Sequence, residues 1–241
     1  MKVVMAVLTD TYLDIGGRDL HVVKSGQMGD FAVILEAGSG CGSEIWRTVQ
    51  EVAGEFVVTY SYDRAGHGPS DPGEPWSLAG WLADLEAWLS VARVAPPYLL
   101  VGHSLGGHIV RAFAARHLAD VVGMILVDAR HEDLFPELPE SFLTRLKELV
   151  PDDTEGANRV DVIVRTLAVI THGRADWISD AFGLGQGDLD QAEAAWQQYQ
   201  RKLAAKSSRS KFCVAASSGH LISVDQPELV VSAIRSLTDQ C

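Results

Sequence analysis

Apolar positions in this chain fall into two patterns that alternate. Candidate strands occupy 19–24, 31–36, 56–60, 98–101, 121–127, 166–171 and 211–215, several of them continuous apolar runs, and a weaker one at 11–15 leads into the turn at Gly16-Gly17. Runs of this kind, without strict polar alternation, are what strands buried on both faces require. Between them apolar residues recur every three or four positions. Leu78, Trp81, Leu82, Leu85, Trp88 and Leu89 form one such stripe, with Asp84 and Glu86 off it, which predicts an amphipathic helix whose tryptophans are core residues. Leu189, Ala192, Trp196, Tyr199 and Leu203 form a second stripe. Leu229, Val230, Ala233, Ile234 and Leu237 form a third, behind Pro227, a residue suited to a first helical turn. Strands alternating with helices predict an α/β fold with a mostly parallel sheet of about eight strands and helices on both faces.

The alternation breaks once, at 129–161, after the sixth strand. This segment holds Pro136, Pro139 and Pro151 and an amphipathic piece with Phe142, Leu143, Leu146 and Leu149 on one side. Connections this long within a compact domain are commonly lids. With no repeats or linkers elsewhere, the expectation is one domain over 1–241 with a short lid inserted at 129–161. Residues 131–160 carry eight acidic side chains against three basic ones, so such a lid should not favour anionic substrates.

Charge and cysteine usage narrow the partners. The chain has 241 residues and a formal net charge of -12, which argues against nucleic acid, because phosphate binding needs clustered Lys and Arg. No apolar run approaches the roughly 18 residues of a membrane span. The apolar stretch at the amino terminus ends at Thr9-Asp10, too early for a signal-peptide core. Cys41, Cys213 and Cys241 are an odd number without metal-ligand spacing, so a reduced, cytoplasmic protein without a metal is expected. Nothing in the pattern specifies an oligomeric state.

The candidate chemistry centres on Gly102-His103-Ser104-Leu105-Gly106, placed between the run at 98–101 and a helix-like segment. A serine on a sharp strand-to-helix turn is pushed into the open at a helix N-terminus, where unpaired N–H groups favour developing negative charge. Ser104 is therefore the candidate nucleophile. A hydroxyl needs a base to take its proton. His220, in Ser217-Ser218-Gly219-His220, follows the last predicted strand, at the sheet end where open α/β folds place their ligand sites. Of the other histidines, His103 flanks the turn, His108 and His117 lie on the following helix, His21 is inside a strand, and His67, His131 and His172 are read as loop residues able to line a pocket.

Taken together, these segments resemble the α/β-hydrolases over nearly the whole chain. Gly102 to Gly107 resembles the nucleophile elbow, Tyr62-Asp63-Arg64-Ala65-Gly66-His67-Gly68-Pro69-Ser70 the D-x-x-G-x-G-x-S loop, and Gly219-His220 the catalytic histidine. Leu35-Glu36-Ala37-Gly38-Ser39-Gly40 stands in the place of the oxyanion loop, with Ala37 where many members carry histidine; the donors there are backbone groups. The resemblance implies that the N–H groups of Ser39 and Leu105 bind the oxyanion. It also implies an orienting acid after one of two strands, Asp128 or Asp176. Asp176 lies in His172-Gly173-Arg174-Ala175-Asp176, which resembles the commoner H-G-x-x-D acid loop. Leu126-Val127-Asp128-Ala129-Arg130-His131-Glu132-Asp133 resembles a block shared by a subgroup of small hydrolases, and the reading takes Asp128, with Asp176 as the alternative.

A serine nucleophile argues against the epoxide- and haloalkane-processing relatives, which use aspartate there. The expected activity is hydrolysis of a small-molecule carboxylic ester or lactone through an acyl-enzyme, without metal or organic cofactor. Carbon–carbon bond hydrolysis and cofactor-free perhydrolysis are the alternative activities, and a non-catalytic small-molecule binder is the alternative from another class. Substrate choice is expected from the lid and from a pocket near Trp46, Phe135, Phe142 and Trp177.

Overall fold

A computed structural model of the chain describes residues 6–73, 77–149, 160, 162, 164, 166–175 and 183–238. Eight strands form one sheet: β1 (Leu8–Asp14), β2 (Asp19–Ser25), β3 (Ala32–Glu36), β4 (Val58–Tyr62), β5 (Tyr98–His103), β6 (Val121–Val127), β7 (Leu167–His172) and β8 (Lys211–Ala215). Their spatial order is β1-β2-β4-β3-β5-β6-β7-β8. β2 runs antiparallel to β1 and β4, and every later neighbouring pair is parallel. The helices are α1 (Arg47–Ala53), α2 (Leu78–Val91), α3 (Leu105–Arg116), α4 (Glu140–Leu149), α5 (Gln186–Ala204), α6 (Ile222–Asp225) and α7 (Pro227–Thr238).

In the central strands β3, β4, β5, β6 and β7 the apolar runs are continuous because both faces of the sheet are covered, whereas β8, at the edge, is exposed along 211–214 despite its apolar run. Ala32, Ile34, Leu100, Met124, Leu126, Leu167 and Val169 join a core with α2 and α3. Their neighbours Val33, Leu35, Leu99, Val101, Ile125, Val127, Ala168 and Ile170 point the other way, against α1 and α7. Trp81 and Trp88 belong to the first core, as the α2 stripe predicts. A third core forms where Leu134, Leu138 and Phe142 of the 129–149 segment meet Ala192, Trp196 and Tyr199 of α5. That segment and Val160 are the described parts of the predicted insertion; 150–159 and 161 lie outside the described residues.

Several strand boundaries differ from the pattern. β4 starts at Val58 rather than at residue 56, because the amides of Phe56 and Val57 both bond back to the Ala53 carbonyl at the end of α1. It then runs on through Ser61 and Tyr62, where the buried Ser61 hydroxyl donates to Gln50 Oε1 at 2.7 Å. The first strand is longer than its weak signal, pairing along its whole length with β2.

Candidate active site

The turn after β5 is built by steric exclusion. Ser104 sits at φ 52, ψ -119, between the last strand residue and the first residue of α3. A left-handed conformation of this kind is unfavourable for any residue bearing a Cβ, so the surroundings must impose it. A Cβ on Gly102 would come within 2.5 Å of the Gly106 carbonyl oxygen, and one on Gly106 within 2.3 Å of the Glu36 carbonyl oxygen. Only glycine at both positions lets strand, helix and the β3 loop approach this closely. Ser104 is then tied to β6: its N–H donates to the Val127 carbonyl at 3.2 Å, and its carbonyl accepts from the Arg130 N–H at 2.9 Å. The N–H of Leu105, at the first helical position, has no carbonyl a turn below it to bond.

Asp128 directly follows β6 and is fully buried. Five donors converge on its carboxylate. Oδ1 accepts from Thr171 Oγ1 at 3.0 Å, the His172 N–H at 3.2 Å and Trp196 Nε1 at 2.9 Å. Oδ2 accepts from His220 Nδ1 at 2.6 Å and from His172 Nδ1 at 2.7 Å. Burial is the largest single influence and would raise the Asp128 pKa, but the hydrogen bonds and charges of His172 and His220 together outweigh it and hold the carboxyl well below the usual range. The carboxylate is thus anionic, and the Nδ1 of each histidine is a donor.

His220 is fixed from three sides besides this. Ser218 Oγ and the Gly219 N–H both donate to Asp225 Oδ2 at 3.1 Å, which sets the loop before it. His103 Nε2 donates to the His220 carbonyl at 3.0 Å, and the Trp196 ring meets the imidazole edge-on at 5.3 Å. His103, read from the sequence as a mere flank of the turn, is a brace of the histidine loop. Burial and the neighbouring His220 lower its pKa to about 3, so it stays neutral.

His172 is the residue that sequence reasoning placed wrongly. It is not a loop histidine but the last residue of β7, fully buried, and its Nε2 meets Glu193 Oε2 of α5 at 2.8 Å. Burial would lower its pKa, yet the bonds to Asp128 and Glu193 raise it to about 9. Unfolded histidine titrates near ~6.5, so this raised group contributes stability that is complete below about pH 6.5 and lost as pH rises through about 9. His103 and His108, both held neutral with pKa values near about 3 by burial, act in the opposite sense: their contribution is complete above about pH 6.5 and lost as pH falls. The thermal midpoint is therefore expected to peak near pH ~6.5. His172→Gln should flatten the alkaline side alone, a change of up to roughly 3 kcal/mol. An alkaline limb of unchanged steepness in the variant, followed by calorimetry, would mean that His172 is neutral in the native protein.

The loop after β3 lies against the elbow. A Cβ on Gly38 would stand 3.0 Å from Ser104 Cβ and 2.7 Å from His103 Nδ1. The Cys41 N–H donates to the Gly38 carbonyl at 3.3 Å, and Gly40 has φ 66, which makes 38–41 a turn with Ser39 at its first corner. Asp176 and Trp177 lie outside the described residues. Trp46 and Phe142, expected near a pocket, are instead packed in the core beneath α1 and between α4 and α5, at 0% and 2% exposure. Phe135 is partly buried beside Phe142, with the Arg130 guanidinium 5.0 Å from its ring centre.

Residues 33–205 match the Alpha/beta hydrolase family model. The chain belongs to the alpha/beta hydrolase family. Among curated proteins this hydrolase is similar to the uncharacterized protein YqjL of Bacillus subtilis, 28% identical over 235 residues that cover 91% of this chain and 88% of that one. It spans less than half the length of several further curated relatives that it matches. Among solved structures, a serine hydrolase involved in carbazole degradation, the CarC enzyme, superimposes with TM-score 0.72 at 14% identity, covering 98% of this chain and 100% of that chain. A thermophilic esterase from Thermogutta terrifontis superimposes with TM-score 0.65 at 19% identity, covering 96% and 98%. At such identities the likeness is one of fold. Among the described residues of the hydrolase, no helix is long and apolar enough to cross a membrane.

Proposed function

We propose that this alpha/beta hydrolase cleaves a carboxylic ester or lactone through a Ser104 acyl-enzyme. The observation that carries the reading is the 2.6 Å contact between the buried Asp128 carboxylate and His220 Nδ1, on a fold whose elbow presents Ser104 at a helix N-terminus. With Nδ1–H committed to Asp128, the neutral imidazole has its lone pair on Nε2. That nitrogen takes the Ser104 proton as Oγ attacks the carbonyl carbon, and the resulting imidazolium is stabilised by Asp128. The oxyanion accepts from the N–H groups of Ser39 and Leu105, an interaction commonly contributing about 3 kcal/mol per donor in the transition state. His220 then returns the proton to the leaving alkoxide. Water repeats the sequence in reverse and frees the acid. In this reading the segment 129–161 caps the site, and its acidic surplus favours neutral or cationic esters.

The base works only when neutral, so the ratio kcat/KM for a short-chain p-nitrophenyl ester is expected to rise with pH along a single-proton limb. A profile that is flat from about pH 5 to 9 would remove histidine as the base. Labelling by a fluorophosphonate, mapped to Ser104 and competed by an ester and lactone panel, tests the whole reading and ranks the substrate classes. A protein that labels nowhere and turns over no ester would instead be a binder on the same fold.

A further inference from the structure

Arg64 is the second residue of the loop after β4 and is 2% exposed. Its Nη1 donates to Glu36 Oε1 and to the Ala37 carbonyl, and its Nη2 donates to the Gly38 carbonyl, each at 2.6 Å. Glu36, fully buried, supplies the counter-charge. One planar fork therefore grips two consecutive carbonyls of the loop that lies against Ser104. A trans peptide holds its C=O and N–H on opposite sides. Drawing the Gly38 carbonyl toward Arg64 turns the Ser39 N–H the opposite way, and drawing the Ala37 carbonyl in does the same to the Gly38 N–H. Neither amide can rotate without breaking a charge-assisted bond in a buried site.

We propose that Arg64 is a positioning residue that sets the oxyanion hole by holding the Ala37 and Gly38 carbonyls. The inference rests on the reading of Ser104 as nucleophile and Ser39 as donor given above. It does not follow from burial alone: a buried ion pair is weak evidence for stability, since apolar replacements of similar volume are often neutral. What a replacement cannot supply is the fork. Lysine places one point charge and cannot span both carbonyls and the carboxylate.

The test is a double-mutant cycle on ester hydrolysis and fluorophosphonate labelling, with rates expressed per folded molecule from circular dichroism. Ser39→Pro deletes the donor itself, at a turn corner that accepts proline. Ser39→Pro and Arg64→Lys are each expected to lower kcat by about 10²-fold, with KM within about threefold. If Arg64 acts through the Ser39 N–H, the double variant loses little more than the worse single one. Glu36→Gln keeps an acceptor for Nη1 and both carbonyl contacts, so it should lose thermal stability but no more than about fivefold in kcat. Losses that multiply in the double variant, or an Arg64→Lys rate near that of the parent, would overturn the proposal. So would a Glu36→Gln loss as large as that of Ser39→Pro, which would make the buried charge responsible rather than the carbonyl grip. This last comparison stands even if Arg64→Lys does not fold. A parent protein that fails to label at Ser104 overturns the hydrolytic reading and this inference together, whereas a parent that labels with unaffected variants overturns the inference alone.

Discussion

Replacing Ser104 with alanine is expected to lower kcat by about 10⁶-fold while leaving the thermal midpoint where it is. The size follows from losing the nucleophile of a unit whose members act together, where removing one is nearly as damaging as removing all. The unchanged midpoint follows from the backbone: Ser104 stands at φ 52, ψ -119, and alanine inherits the same Cβ and the same strain. Ser104→Gly separates the two effects. It is equally inactive, but it removes the Cβ from a conformation that costs roughly 1–3 kcal/mol, so its midpoint should rise by about 2–4 °C per kcal/mol recovered. Steady-state kinetics with a p-nitrophenyl ester and a melting curve on the three proteins check both halves. Activity within tenfold of the parent in a folded Ser104→Ala protein would move the nucleophile elsewhere, and a Ser104→Gly midpoint below that of the parent would mean the turn is not strained.

How much of this site is legible in the sequence depends on how local each constraint is. The elbow is legible through the spacing of its glycines about the serine: Gly102 is excluded from bearing a Cβ by the backbone of Gly106 and Gly107 within five residues, whereas Gly106 answers to the Glu36 and Ala37 carbonyls at the end of β3, far away in sequence. His220 is legible because strand, loop and helix follow one another in order. The surroundings of Asp128 are not. Trp196 lies on the apolar stripe of α5, and periodicity reads it as core; it is core, but its indole N–H also reaches Oδ1 of an aspartate far away in sequence. His172 becomes a buried partner only because β7 runs one residue further than its apolar run, to a position fixed by pairing with β8. The β4 boundaries moved for a similar reason, through amides that close α1 and a Gln50 side chain that satisfies Ser61. Periodicity reports which face a residue takes, and polar groups that meet across elements leave no period.

Asp128→Asn is expected to lower kcat by about 10⁴-fold, the scale on which a triad loses rate when its histidine adopts the wrong tautomer. Here the direction of that error can be worked out. Three donors meet Oδ1, from Thr171, the His172 amide and Trp196, while the two histidine Nδ1 atoms meet Oδ2. The asparagine oxygen therefore stays with the three donors, of which two cannot be reversed because an amide and an indole N–H never accept. Its NH₂ then faces the histidines, and each must turn its Nδ1 lone pair inward. His172 tolerates this, since its Nε2–H can still donate to Glu193. His220 does not: protonated on Nε2, it has no lone pair for the Ser104 proton. The variant should keep KM for the ester within a few fold and lose the alkaline limb of stability together with the charged His172. Asp176→Asn is expected to cost less than tenfold. The reverse order of losses, measured on the same ester at the same pH, would make Asp176 the orienting acid and leave Asp128 as the anchor of His172.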